Sequence, residues 1–142
     1  LCPGINCLAG PNGAGKTNVL EAVHYLCMTK GFRPEREAVQ AGQAFFMIEG
    51  LWQRAGGAPP VQLLCSYLEG KGKKILLDGR PLARMADHVG ALPVVAILPE
   101  DAALIREGGT QRRRWLDSLL AQCAPGYLPA LIRYEKALEQ RN

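Results

Sequence analysis

Eight consecutive residues carry chemistry by their types and order: Gly10-Pro11-Asn12-Gly13-Ala14-Gly15-Lys16-Thr17. They satisfy G-x-x-x-x-G-K-[ST], the Walker A phosphate-binding pattern, without a mismatch. Glycines let successive backbone N–H groups turn inward around an anion, where a Cβ would obstruct. Lys16 puts a compact positive charge on the β and γ phosphates of a nucleotide, and Thr17 offers a hydroxyl to Mg²⁺. The positive end of a following helix faces the same anion. All eight residues are therefore candidates for binding nucleotide and Mg²⁺, with Lys16 and Thr17 the catalytic candidates and Thr17 the metal ligand. The pattern does not separate ATP from GTP, or hydrolysis from binding.

Such a loop needs a strand before it and a helix after it. Residues 4–9 form a short apolar run that breaks at Gly10-Pro11-Asn12-Gly13, as a strand entering a turn would. From Lys16 to Lys30, apolar side chains recur at Val19, Leu20, Val23, Leu26 and Cys27, a helical stripe. Gly31 stands where a helix C-cap is expected. Strands are expected over 44–52, 61–68 and 74–77, with Asp78-Gly79 as a hairpin turn. Residues 84–89 suit a short helix, and the unbroken apolar run 93–98 suits a strand buried on both faces. A short helix over 101–107 should stop at Gly108-Gly109. Thr110 is then the expected N-cap of a helix carrying Trp115, Leu116, Leu119 and Leu120. After Pro125-Gly126, a last helix begins near Leu128. The order predicts an α/β fold with an inserted β meander.

A hydrolytic P-loop site also needs a carboxylate at the end of an apolar strand. Asp78 follows Ile75-Leu76-Leu77 but reads better as a turn residue. Glu100-Asp101 follows an apolar run, but Pro99 disturbs the strand end and the pair suits the first turn of a helix. The hydrolytic carboxylate is expected beyond Asn142. The chain opens at Leu1 without Met and closes inside a helical pattern, so an excerpt of a longer protein is expected.

Composition narrows the classes. At 142 residues, 48% hydrophobic and 21% charged, the chain can bury a core, which excludes wholesale disorder. No apolar run approaches the roughly 18–20 residues that cross a bilayer, so no membrane partner is expected. Five scattered cysteines without Cys-x-x-Cys fit free thiols in a reducing cytoplasm rather than a disulfide framework or zinc site. The net charge of +4 is mild, but residues 105–142 hold seven Lys or Arg against four Asp or Glu, including Arg112-Arg113-Arg114. Such a run is usually a solvated helix face and is here also a candidate for phosphate contact. Three adjacent helical residues point about 100° apart, so all three arginines cannot share one face. Trp115 suits core packing better than stacking on a base.

Beyond the loop, several blocks resemble the RecF family of recombination-mediator ATPases, related to SMC and ABC-type heads. Gly4-Ile5-Asn6, the Walker A run with Asn18, Leu20-Glu21-Ala22 and Gly31-Phe32-Arg33 are similar to its first lobe. Pro99-Glu100-Asp101, Leu104-Ile105, Arg112 to Asp117, Tyr127-Leu128, Tyr134 and Gln140-Arg141-Asn142 are similar to the start of its second. The resemblance implies a partial P-loop ABC-type head, with residues 1–98 in an ATP-binding lobe I and 99–142 opening a helical lobe II. It implies ATP and Mg²⁺ as cofactors, an ATP-dependent homodimer, weak DNA-stimulated ATPase activity and loading of recombinase at gapped DNA, with RecO and RecR as partners. Arg33 would approach nucleotide or DNA, and Arg112, Arg113 and Arg114 would contact DNA. The family's Ser-Gly-Gly signature and Walker B carboxylates have no counterpart; Gly108-Gly109 lacks the serine. Other readings of the loop are a small-molecule kinase whose arginine run forms a lid, and a non-hydrolysing nucleotide sensor.

Overall fold

The computed structural model describes residues 1–53, 55–106 and 108–141. Glu107, the expected end of the short helix, and Asn142, the last residue of the resemblance, lie outside them.

The chain leads from the loop directly into α1 (Lys16–Met28) and a one-turn helix α2 (Glu35–Ala38). Then come four strands: β1 (Phe45–Trp52), β2 (Val61–Leu68), β3 (Gly72–Leu77) and the two-residue β4 (Arg80–Pro81). They form one antiparallel sheet in the order β1-β2-β3-β4, the expected meander. Its register pairs Ile48 with Cys65 and Cys65 with Ile75. Asp78 and Gly79 both take positive φ (48° and 76°), the two-residue geometry that matches strand twist in a hairpin. Asp78 Oδ1 also accepts from the Gln62 backbone N–H at 2.9 Å, so this carboxylate belongs to the turn, as the sequence suggests.

One face of the sheet packs on α1. Tyr25 and Leu26 meet Val61, Leu63, Cys65 and Ile75, and Phe46, Ile48 and Trp52 of β1 close the cluster. Tyr25 and Phe46 meet edge to face at 5.4 Å. Leu63 and Cys65 are wholly buried. The helical stripe is displaced from its expected face: Val19 and Leu20 are half exposed, and Tyr25 takes the core position. α1 also ends earlier than expected. Thr29, not Gly31, is the left-handed C-cap, with its N–H on Tyr25 O at 2.8 Å.

Two expected strands are absent. Residues 4–9 form no ladder, and Ile5 is fully exposed. Residues 93–98, expected as the buried strand of lobe I, are extended but unpaired, with Val95 and Ile97 facing outward. A strand exists only through its neighbour's hydrogen bonds. The meander pairs its own four strands, and neither segment is paired with its edge strands β1 and β4. Residues 93–98 are instead held by Gln122, whose Oε1 accepts from the Val94 N–H at 2.8 Å.

The helical end comprises a 3₁₀ turn Pro99–Ala102, α3 (Ala103–Arg106), α4 (Gly109–Cys123) and α5 (Tyr127–Arg141). Gly108, rather than Thr110, is the N-cap of α4. The expected helix at 84–89 is a single 3₁₀ turn, Met85–Asp87. Gly90 sets how closely α4 approaches this region: its φ is 93°, and a Cβ there would stand 2.7 Å from Gln122 O. Tyr127 O–H donates to Asp117 Oδ1 at 2.6 Å, pinning α5 to α4. Among the described residues no helix is long and apolar enough to cross a membrane.

Candidate nucleotide-binding site

The loop 10–17 is exposed along most of its length and turns on glycines. Gly13 and Gly15 both sit at φ 84°, in the left-handed region that side chains with a Cβ rarely adopt. Ala14 N–H closes a turn on Pro11 O, and Gly15 in its left-handed conformation is the N-cap of α1. The first N–H groups of α1 therefore open onto the loop without a capping side chain. Lys16 reaches back across the loop, and its Nζ donates to Gly10 O at 2.9 Å and Pro11 O at 2.7 Å. The ammonium lies over the loop it belongs to, beside the positive helix end. Thr17 is exposed on the first turn of α1. The chemistry available is cation plus helix N-terminus plus hydroxyl, the set that holds a polyphosphate and its divalent ion.

A second group of contacts, not foreseen from the loop alone, joins α1 to the segment after it. Glu21 is buried, at 5% exposure, and its Oε1 accepts from the backbone N–H groups of Phe32 (3.0 Å) and Arg33 (3.1 Å). Its Oε2 accepts from Arg33 Nε and Nη2, and Nη2 also reaches Asn18 Oδ1 at 3.2 Å. Burial alone would raise the Glu21 carboxyl, but the hydrogen bonds and charge of Arg33 and the Phe32 N–H outweigh it and hold the group below its ordinary value. A Cβ on Gly31 would stand 2.7 Å from Glu21 Oε1, so the glycine makes room for the carboxylate rather than capping the helix. The Gly-x-Arg spacing was visible in sequence; its partner eleven to twelve positions earlier was not.

Each histidine beside α1 satisfies a carbonyl near the helix end. His88, buried, bonds through Nε2 to Leu26 O at 2.7 Å, and His24 Nδ1 pairs with Lys30 O at 3.0 Å. Burial pushes the His24 imidazole below its ordinary value. Lys73 of β3 donates to Thr29 O and to Glu35 Oε1, both at 2.8 Å. Among the described residues no cluster of His, Cys, Asp and Glu could hold a metal on its own.

The other candidates lie apart from the loop. Asp101 Oδ2 accepts from Leu98 N–H at 2.7 Å while Asp101 N–H bonds to Leu98 O, so this carboxylate caps a turn, as its sequence position suggests. Arg112 and Arg113 face different acceptors, Leu104 O at 3.2 Å and Thr110 Oγ1 at 3.3 Å. Arg114 lines a cleft with Asp117, Glu135 and Lys30, between α4, α5 and the end of α1. Trp115 is about one-third exposed and sits with His24, Phe32, Val94 and Leu98, in a packing position.

The family described as "AAA domain, putative AbiEii toxin, Type IV TA system" matches residues 5–79, which takes in the loop, α1 and most of the meander. The chain belongs to this AAA-domain family. Over its whole length it is similar to the DNA replication and repair protein RecF of Salinibacter ruber, at 47% identity. Its similarity to RecF of Halalkalibacterium halodurans is 40% identity over 99% of the chain. It spans 35% and 38% of the lengths of those two proteins. The recombination mediator protein RecF solved as RecF-ATP superposes on 99% of this chain with a TM-score of 0.89 and 30% identity, and the chain covers 38% of it. An SMC ATPase structure, 16% identical, superposes on 84% of the chain with a TM-score of 0.60 and covers 86% of that structure, which shows the shared fold. The fold is thus part of a P-loop ABC-type head, and the resemblance to RecF extends from the loop into the helical end.

Proposed function

We propose that the chain is the nucleotide-binding part of a DNA-regulated ATP clamp acting in recombinational repair and replication-fork maintenance. The observation that carries this reading is the loop 10–17, with Lys16 Nζ drawn over Gly10 O and Pro11 O at the open end of α1. Similarity to RecF along the whole chain supports the biological setting, and the RecF-ATP structure supports ATP as the nucleotide. The residues present fit that group. A Cβ added at Gly13 or Gly15 would meet no other atom within 4 Å, so the loop is open there, and Lys16, the first turn of α1 and Thr17 follow it directly in the chain.

In this reading Lys16 and the loop N–H groups hold the phosphates, and Thr17 supplies a hydroxyl to Mg²⁺. Bound MgATP supplies the charge that joins two heads and, on hydrolysis, the free energy that releases them. Residues 1–98 contribute to lobe I and 99–142 open lobe II. The working form is a cytoplasmic homodimer whose site is completed by a second subunit, with RecO and RecR as partners and gapped DNA as the regulator. Arg33 serves the phosphates of nucleotide or DNA; Arg112, Arg113 and Arg114 are the candidates for DNA contact.

Light scattering of the full chain with and without MgATP, beside turnover with and without gapped duplex, tests this. A dimer that needs MgATP and turnover stimulated by DNA is expected. Turnover stimulated by a small phosphoryl acceptor would overturn it in favour of a kinase. Tight binding without turnover would overturn it in favour of a sensor.

A further inference from the structure

The two faces of the meander differ in what covers them. Val61, Leu63, Cys65 and Ile75 point at α1 and are buried, with Phe46 and Ile48 packed beside them. An antiparallel sheet with one covered face ordinarily turns polar side chains to the other. This one does not. The outward positions of β1 are Phe45, Met47, Glu49 and Leu51, and the three apolar ones are 55%, 61% and 69% exposed. The register carries the same face onto β2 and β3, for Phe45 pairs with Leu68, Glu49 with Leu64, and Leu64 with Leu76. Single apolar side chains on a surface need no explanation, but six on one sheet face form a patch of the kind that marks a docking surface.

Two charges interrupt the patch, on opposite sides of β2. Glu49 stands on β1, and Lys74 stands on β3, one row further along, where it pairs with Ser66. Among the described residues neither enters an ion pair; the Glu49 carboxylate accepts from the Gln62 side-chain amide. A partner of a single sign would leave one of the two charges desolvated and unmatched, which is costly. A second copy of the same face meets both. Turned about a two-fold axis running along β2, each copy lays its β1 over β3 of the other, so the Glu49–Lys74 approach is made twice. The prominent side chains of β1 then rest on the half-buried leucines of β2 and β3.

The dimensions set the strength of such a contact. The eight residues of β1 run about 27 Å, and three strands about 4.8 Å apart give a flat area of about 400 Å² per copy. Two copies cover about 800 Å² before side-chain relief is counted, close to the roughly 1,000 Å² at which specific interfaces begin. We propose that the outer face of the meander is a self-association surface, through which two copies of the chain pair weakly and reversibly without nucleotide. This contact is additional to the ATP-dependent pairing and does not rest on it.

The test is sedimentation velocity of the full-length chain without nucleotide, over the range from about 1 to 100 μM in which a small interface dissociates. A monomer–dimer shift with concentration is expected. E49K and K74E should each weaken it by about tenfold, because either swap sets like charges against each other at both ends of a two-fold contact. The double variant E49K/K74E should return to the wild-type strength, since the charges are then exchanged together. M47D places a carboxylate in the apolar centre and should abolish association, with the melting temperature unchanged because Met47 faces outward. If M47D does not fold, the charge swaps carry the test alone, at two exposed positions. A chain that stays monomeric at every concentration overturns the proposal and leaves the face to another segment of the longer protein or to a different partner. Association that appears only with MgATP overturns it as well. So do single swaps that associate as wild type, or a double swap no stronger than the single ones.

Discussion

Lys16 Nζ lies 2.7 Å from the backbone oxygen of Pro11, five residues earlier in the same loop. With the second contact to Gly10 O, the ammonium holds the two ends of the loop together while its charge remains at the opening of α1. The same side chain therefore shapes the loop and supplies its cation. Lys16→Ala removes both. Loss of two charge-assisted contacts of about 1.5 kcal/mol each predicts a fall in MgATP affinity of about 100-fold. The loop is exposed, so the melting temperature should scarcely move. Calorimetric titration beside a thermal scan checks both halves, and ATP-dependent dimerisation should disappear with the affinity. Normal dimerisation in that variant would count against the clamp.

Gly31→Ala tests the packing beneath Arg33. The added Cβ would meet Glu21 Oε1 at 2.7 Å and Arg33 O at 3.4 Å. An oxygen at the end of a side chain can normally swing aside, but this one is held by two backbone N–H groups. Moving it strips two partly buried N–H groups of their acceptor, at a cost of about 1 kcal/mol. Chemical denaturation should show a lower midpoint with an unchanged slope. A midpoint equal to wild type would mean that the carboxylate has room to rearrange.

What the sequence revealed, and what it hid, divides by the range of the interactions. The loop 10–17, the turn at Asp78-Gly79 and the bounds of β2 are local, written in glycines, turn residues and alternating burial, and the structure has them as expected. The runs 4–9 and 93–98 carry the same apolar signal as β2 but form no ladder, because composition says what a strand can be made of and not which edge will pair with it. Gly31 was conspicuous for the wrong reason. A glycine after a helix suggests a left-handed cap, yet Thr29 takes that conformation, and Gly31 is required by a side chain ten residues before it. The His88 bond to Leu26 O spans 62 positions, and no period or motif encodes such a contact.

Acid should loosen the ties between α1 and its surroundings. The carboxyl of Glu35 is held below its ordinary value, chiefly by the Lys73 ammonium at 2.8 Å, and that of Glu21 by the Arg33 and Phe32 donors that outweigh its burial. A carboxyl that binds its proton less readily when folded stabilises the fold above the unfolded value of 4.5 and loses that contribution as pH falls below it toward the folded value. The melting temperature should therefore drop steeply below pH 4.5. Glu35→Gln should be less stable than wild type at pH 7 and lose less on acidification. Parallel curves for the two proteins would show that Lys73 and Glu35 contribute nothing through charge.

Arg112, Arg113 and Arg114 point in different directions from α4, as helical geometry requires, and two have identifiable protein acceptors: Leu104 O for Arg112 and Thr110 Oγ1 for Arg113. Arg114 lies in the cleft that also holds Asp117 and Glu135. If these arginines meet a duplex backbone, each phosphate they neutralise contributes about 0.9 to the slope of log affinity against log salt. Neutralising all three as glutamine should then flatten the slope by about one or two units rather than three, since the three directions cannot serve one backbone together. Single variants identify the participants: Arg113→Gln and Arg114→Gln should each change the slope or leave it alone, independently of thermal stability. Arg112→Gln should instead lower the melting temperature, through the lost tie to the end of α3. An unchanged slope in the triple variant, measured by fluorescence anisotropy from low to physiological salt, would leave the run as a solvated helix face and move the search for the DNA contact elsewhere in the head.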